Sequence, residues 1–174
     1  MLIRPEDFRN VSDWPKPGIE FKDIDPILRS PDLLAAAIDS LIDASEGVSA
    51  EIDYVMAPEA RGFLFGPAIA TALGAGFIPA RKPNKLPPET HSTPYALEYG
   101  EDHLHMAHGD LTQKRILIHD DLLATGGTVE ALARLIEQSG AVAVGAVFLS
   151  EIPALAGRQR LAPLPVRAVV QFTD

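Results

Sequence analysis

Cysteine is absent from the 174 residues, which excludes disulfides and thiolate metal sites and suits a reducing, cytoplasmic compartment. No uninterrupted apolar run approaches the roughly 20 residues that span a bilayer, and the opening MLIRPEDFRN lacks the apolar stretch of a secretion signal. The expectation is a soluble chain with no membrane partner. Positive charge is scarce: 15 Lys and Arg stand against 24 Asp and Glu, a net charge of −9. That balance disfavours unspecific attraction to nucleic acid, so an anionic ligand has to be held by a local site. Internal repeats and low-complexity tracts are lacking too. What is present is a hydrophobic fraction of 47%, enough for one compact domain over residues 1–174.

The order of segments predicts an α/β fold with a mostly parallel twisted sheet flanked by helices. DWPKPGIEFKDIDPIL reads as an irregular segment packed on the domain, within an N-terminal region of about 8–30. Ser30 as N-cap, Pro31 at the first helical position and Asp32 in the first turn start a helix that runs to about Ala44. DYVMA is a short strand from Asp53, PEARGF the turn that leaves it, and residues 64–73 a small-residue helix stopped by Gly74. GFIPAR is a strand ending at Arg81. KPNKLPPETHSTPYALEYG, residues 82–100, is a long polar loop with four prolines, suited to a flexible lid. HLHMA and RILIH follow as strands, then a helix with a Val129, Leu132, Leu135, Ile136 stripe closed by Gly140. AVAVGAVFL and VRAVVQF have the near-continuous apolar character of strands buried on both faces.

Two strand-to-helix turns carry chemistry, both at the carboxyl edge where open parallel sheets bind ligands. In ATGGT, residues 124–128, the glycines let successive N–H groups converge on a phosphate at a helix start. An ordinary glycine-rich turn capped by threonine is the plain alternative. The preceding Asp120 and Asp121 would repel a phosphate they touched. They suit neutral hydroxyls better, such as a sugar diol next to its phosphate, although one could simply be solvated and cap the helix. Arg61 in PEARGF is a fixed cation beside free N–H groups, and Arg81, Lys82 and Lys85 cluster against the acidic balance of the chain. The inferred ligand has a phosphate at one end, a sugar diol in the middle and more negative charge at the other end.

These residues bring a known family into view. ILIHDDLLATGGT resembles the phosphoribosyl pyrophosphate motif of the type I phosphoribosyltransferases, and WPKPGIEFKDIDPIL, EARGFLFGPAIA, RKPNKLPPET, YALEYG and GRQRLAPLPV are similar to segments of its adenine-using branch, in order. The resemblance implies transfer of 5-phosphoribosyl from phosphoribosyl pyrophosphate to N9 of adenine, giving AMP and pyrophosphate in purine salvage. It implies Mg²⁺ held mainly through substrate, with no all-protein metal site, and a homodimer. Asp120 and Asp121 would hold the ribose hydroxyls, and Ala124, Thr125, Gly126, Gly127 and Thr128 the 5-phosphate. Arg61, Arg81, Lys82 and Lys85 would face pyrophosphate, with Glu59 and Ala60 shaping that turn. Glu98 would be the proton-transfer carboxylate and Tyr99 would help place the lid; Glu20, Phe21, Lys22 and Leu122 would surround adenine.

The chain departs from the family pattern at Lys22, where Arg is usual, at His119, where the strand residue is commonly aliphatic, and at Pro58 and Asn84. His119 is read as a neutral buried histidine in preference to a catalytic one. His103 and His105 share a strand face with His108 close by, a spacing that can bind metal but is common on exposed strands. Trp14 is read as a packing anchor. Two other functions stand beside the leading one: transfer to another purine base, and a regulator that binds phosphoribosyl pyrophosphate without chemistry.

Overall fold

The computed structural model describes residues 2–48, 51–97 and 100–173. Nine strands and five α-helices follow one another among them. A hairpin of β1 (Arg9–Ser12) and β2 (Glu20–Asp23) leads through α1 (Asp25–Arg29) into α2 (Pro31–Glu46). Then come β3 (Tyr54–Pro58), α3 (Gly66–Ala72), β4 (Gly76–Ala80) and a second hairpin of β5 (Thr90–Leu97) and β6 (Gly100–Ala107). The chain closes with β7 (Arg115–Leu123), α4 (Gly127–Gln138), β8 (Val142–Glu151), α5 (Gly157–Arg160) and β9 (Val166–Gln171).

The main sheet has the order β4-β3-β7-β8-β9 and is parallel at every pairing, so β7 lies at its centre. Successive side chains on a strand point to opposite faces, and the core divides accordingly. Ile116, Ile118 and Phe148 pack with Val129, Leu132, Leu135 and Ile136 of α4 on one side. Leu117, Val147 and Leu149 pack with Ile27, Leu41, Phe65 and Ile69 on the other. The helix starts follow local chemistry: the Ser30 hydroxyl accepts from the Leu33 N–H at 3.3 Å and Pro31 fills the first turn.

Several expectations need correcting. The N-terminal segment is not irregular, because Arg9–Ser12 and Glu20–Asp23 pair in register and Asp25–Arg29 is helical. Residues 82–100 are not one loop. Three of the four prolines lie before Thr90, and from there the chain pairs with β6, Pro94 included, opposite His103. A two-stranded hairpin tolerates that proline because a strand edge does not need its N–H. The helix expected from residue 64 begins at Gly66, after a 3-10 turn over Arg61–Leu64. β7 continues through Asp120 and Asp121 to Leu123 instead of stopping before them. Trp14 is half exposed and meets the edge of Phe21, at 4.4 Å between ring centres, outside both core clusters, so it anchors no core.

His119 is fully buried on β7, with its ring edge-on to Phe65 and its Nδ1–H donating to the Val147 carbonyl at 3.1 Å. Burial pushes its pKa from 6.5 down to about 4, against a small opposing effect of that carbonyl. Between those values the unfolded chain binds a proton that the folded chain refuses, so stability falls as pH drops through the window. The His119→Leu variant should therefore lose most of this acid-side slope. Urea unfolding from pH 7 to pH 4 should show the wild type surrendering about 3 kcal/mol more than the variant; parallel curves would contradict this.

Candidate active site

The acids sit where β7 leaves the sheet. Asp121 is buried, its Oδ2 is 3.3 Å from Arg61 Nε, and its own N–H donates to Asp120 Oδ1 at 2.9 Å. The Ser150 hydroxyl donates to the Asp121 carbonyl at 3.1 Å, fixing the strand end from β8. Burial, then the charge of Asp121, pushes the Asp120 carboxyl well above the usual carboxylate range. Burial raises Asp121 too, with Arg61 opposing. Two adjacent acids in this position gain from any ligand that donates hydrogen bonds or brings a cation.

Three cavities meet around them. One, about 230 Å³, is lined by Pro58, Glu59, Ala60, Arg61, Lys82 and the two aspartates, with Tyr95, Leu104 and Thr128 completing it. A small one, about 70 Å³, is formed by Asp120 and the stretch from Leu122 to Val129. Here Gly126, at φ +81°, is the N-cap of α4 and offers no side-chain acceptor, so the orphan N–H groups of the first helical turn are left for an anion. The largest, about 640 Å³, is walled by Glu20, Phe21, Lys22 and Leu122 together with Tyr95, Ile152, Leu155 and Phe172. Thr128 lines all three and Tyr95 lines two, so the three spaces are neighbours.

Arg61 ties two of these regions together. It pairs with Asp121 and its guanidinium lies 5.2 Å from the centre of the Phe21 ring. Lys22 is buried, paired with Glu20 at 2.8 Å and set 4.6 Å from the Phe172 ring centre, so its ammonium packs under the large cavity and not into open solvent. Of the four cations expected around pyrophosphate, Arg61 and Lys82 line the acid cavity. Arg81 instead pairs with Glu59, and its backbone bridges to His105. Burial raises the Glu59 carboxyl, but hydrogen bonds from Arg81 and the Lys82 backbone leave it below its usual range. Lys85 is exposed on the loop before β5 and does not line this cavity. The Glu59–Ala60 peptide is cis. Glu98 and Tyr99 lie outside the described residues.

The histidines meet in pairs, the His103 and His105 rings lying 6.3 Å apart between centres. His105 Nδ1 meets the Thr90 hydroxyl, His103 Nδ1 meets Ser92, and His108 stacks on His91 with ring centres 4.9 Å apart. Among the described residues no group of three or more His, Cys, Asp or Glu side chains is arranged to hold a metal ion. Sequence reading missed Tyr95, Ile152, Leu155 and Phe172. Nothing local marks them, since each reaches the cavity only through the packing of distant segments.

The chain matches the phosphoribosyl transferase domain family over residues 23–163. It is 48% identical to an adenine phosphoribosyltransferase of Rhodopirellula baltica over 165 residues, 94% of this chain and 79% of that one. The crystal structure of the adenine phosphoribosyltransferase of Thermoanaerobacter pseudethanolicus superposes with a TM-score of 0.90 at 44% identity, covering 96% of both chains. The chain belongs to the adenine phosphoribosyltransferases. Another member of the family, from Saccharomyces cerevisiae, was crystallised with an imino-altritol bisphosphate and adenine; it is 37% identical, with a TM-score of 0.88 over 94% of both chains. The buried Lys22 lies directly in the wall of the largest of the three cavities.

The raised carboxyl of Asp120 has a consequence for stability. The folded state keeps a proton that the unfolded chain has already lost, so this residue costs stability increasingly as pH rises above the ordinary carboxylate range near 3.8. Asp120→Asn keeps the acceptor for the Asp121 N–H and removes the charge. Its thermal midpoint should exceed the wild type's at pH 7, with the gap closing toward pH 4. A lower midpoint at pH 7 would refute the buried-charge account.

Proposed function

We propose that this chain transfers the 5-phosphoribosyl group from phosphoribosyl pyrophosphate to adenine, forming AMP and pyrophosphate, as an enzyme of purine salvage. The observation that carries the reading is the meeting of three differently built spaces at one strand end. An N–H-lined nest, two hydroxyl-accepting acids and an aromatic-walled cavity match a phosphate, a ribose and a base in sequence. The adenine in the yeast relative's crystals supports the choice of base.

In this reading Ala124, Thr125, Gly126, Gly127 and Thr128 hold the 5-phosphate, while Asp120 and Asp121 accept from the ribose hydroxyls. Arg61 and Lys82, with Glu59 and Ala60 shaping the turn, hold the pyrophosphate; Arg81 and Lys85 reach it only if the segment before β5 moves inward. Glu20 and Lys22 edge the base, with Phe21 and Leu122 on its faces. The bond from ribose C1 to the pyrophosphate oxygen breaks with its electron pair leaving on pyrophosphate, and adenine N9 forms the new bond to C1. The N9 proton passes to a carboxylate, the role given to Glu98, with Tyr99 beside it. Charge builds at C1 as in other glycosyl transfers, and the nearby carboxylates stabilise it in a site that partly excludes water. Their hard oxygens also fit Mg²⁺ chemistry: the ion would be held mostly by substrate oxygens, with Asp120 and Asp121 as protein acceptors beside it, and would neutralise charge on the leaving pyrophosphate. We also read the chain as a homodimer that covers the exposed Leu64 in the turn after β3.

Pyrophosphate release is the test, with phosphoribosyl pyrophosphate, Mg²⁺ and a panel of purine bases. Adenine should turn over at least about a hundredfold better than hypoxanthine or guanine by kcat/KM, as a site built around one base's hydrogen bonds requires. Turnover of another base in preference would overturn the specificity. Tight binding of phosphoribosyl pyrophosphate with no turnover of any base would leave the non-catalytic regulator.

A further inference from the structure

The motif GRQRL, residues 157–161, has no part in the chemistry above, yet it touches the phosphate-binding loop at two points. Gly157 is pressed against that loop: a Cβ built on it would fall 2.2 Å from the Ala124 carbonyl oxygen, 2.9 Å from Leu123 Cδ1 and 3.1 Å from the Gly126 nitrogen. The contact is mutual, since a Cβ on Gly126 would fall 3.0 Å from the Gly157 carbonyl oxygen. Only bare backbone on both sides permits this approach. Three residues on, Arg160 holds Glu130 of the first α4 turn through Nε and Nη2, at 2.9 and 2.6 Å. The Glu130 N–H in turn donates to the Gly126 carbonyl at 3.0 Å.

What keeps α5 in place is a half-exposed guanidinium fork on a buried acid. Arg158 donates to both carboxylate oxygens of Glu151, at 3.0 and 2.6 Å, and to the Val166 carbonyl at 2.7 Å. Glu151, 2% exposed at the end of β8, also accepts from Gln171 of β9 at 2.9 Å. A planar guanidinium engaged at three acceptors fixes direction as well as distance, which an ammonium cannot do. The end of β8 is therefore locked to β9 and to α5, and α5 leans on the loop that opens α4.

We propose that Gly157 and Arg158 are positioning residues: they clamp the 124–128 loop in the conformation that binds the 5-phosphate, without touching the ligand. The proposal rests on the reading of that loop as the 5-phosphate site. A loop held this way presents its N–H groups already aimed, so phosphate binding does not have to order them.

The test compares AMP with adenosine, which share base and sugar and differ in the phosphate, by titration calorimetry on the full chain. In the wild type AMP should bind far tighter. In Gly157→Ala the ratio of the two dissociation constants should shrink at least about tenfold, mainly through weaker AMP binding, and KM for phosphoribosyl pyrophosphate should rise by a similar factor with kcat within about threefold. Arg158→Met should move the ratio in the same direction and Arg158→Lys less, which keeps the proposal testable if the glycine variant does not fold. An unchanged ratio in folded variants would overturn the clamp, as would equal weakening of AMP and adenosine. A wild type that binds AMP no tighter than adenosine would overturn the phosphate-loop reading itself, and the clamp with it.

Discussion

Two adjacent carboxylates stand at the end of the central strand, largely out of water, and much of the surrounding structure answers to them. β7 is paired with β3 as far as Ile118 and with β8 on to Leu123, so beyond Ile118 its end is held by β8. Asp121 is buried there with one cation, Arg61, and Asp120 has the Asp121 N–H in place of a second one. Such an arrangement is poor for stability, because the desolvation of the charged form is only partly offset. It is well suited to binding, because sugar hydroxyls or a cation supply what the folded chain lacks.

The same strand end explains why a chain of net charge −9 can hold a strongly anionic ligand. Attraction is confined to a few groups: the N–H donors at the start of α4, Arg61, and Lys82 across the cavity. Arg61 is central to this economy of charge, since it meets Asp121 on one side and the Phe21 ring on the other. Displacing it would disturb the ribose and base regions together. The buried Lys22 plays a comparable part below the base cavity, where its partner Glu20 is itself half exposed.

Elements set by short-range chemistry were legible in the sequence. The Ser30 cap, the α4 stripe and the apolar runs of β8 and β9 carry their own periodicity or capping residues, and the phosphate-nest glycines announce an unusual backbone. The two hairpins were not legible, because Pro94 disguised β5 and the proline-rich approach to β2 hid its pairing with β1. Tyr95 and Gly157 open the family-like segments YALEYG and GRQRLAPLPV, yet they and Phe172 had no assigned role, for a different reason. Their importance comes from contact with residues far away in the chain, and no local pattern encodes it. His119 was correctly read as buried, although the sequence alone could not say that its Nδ1–H is held by the Val147 carbonyl.

The central claim is a division of labour at one strand end: the acids take neutral hydroxyls and the glycine loop takes the phosphate. It is tested most directly by binding AMP and its 2′,3′-dideoxy analogue to the wild type and to Asp120→Ala and Asp121→Ala. The wild type should prefer AMP by about 1.5–3 kcal/mol, the range for hydrogen bonds to a charged group. Each variant should lose much of that preference while still distinguishing both ligands from their unphosphorylated forms. A preference for the hydroxyls that survives intact in both variants would contradict the account.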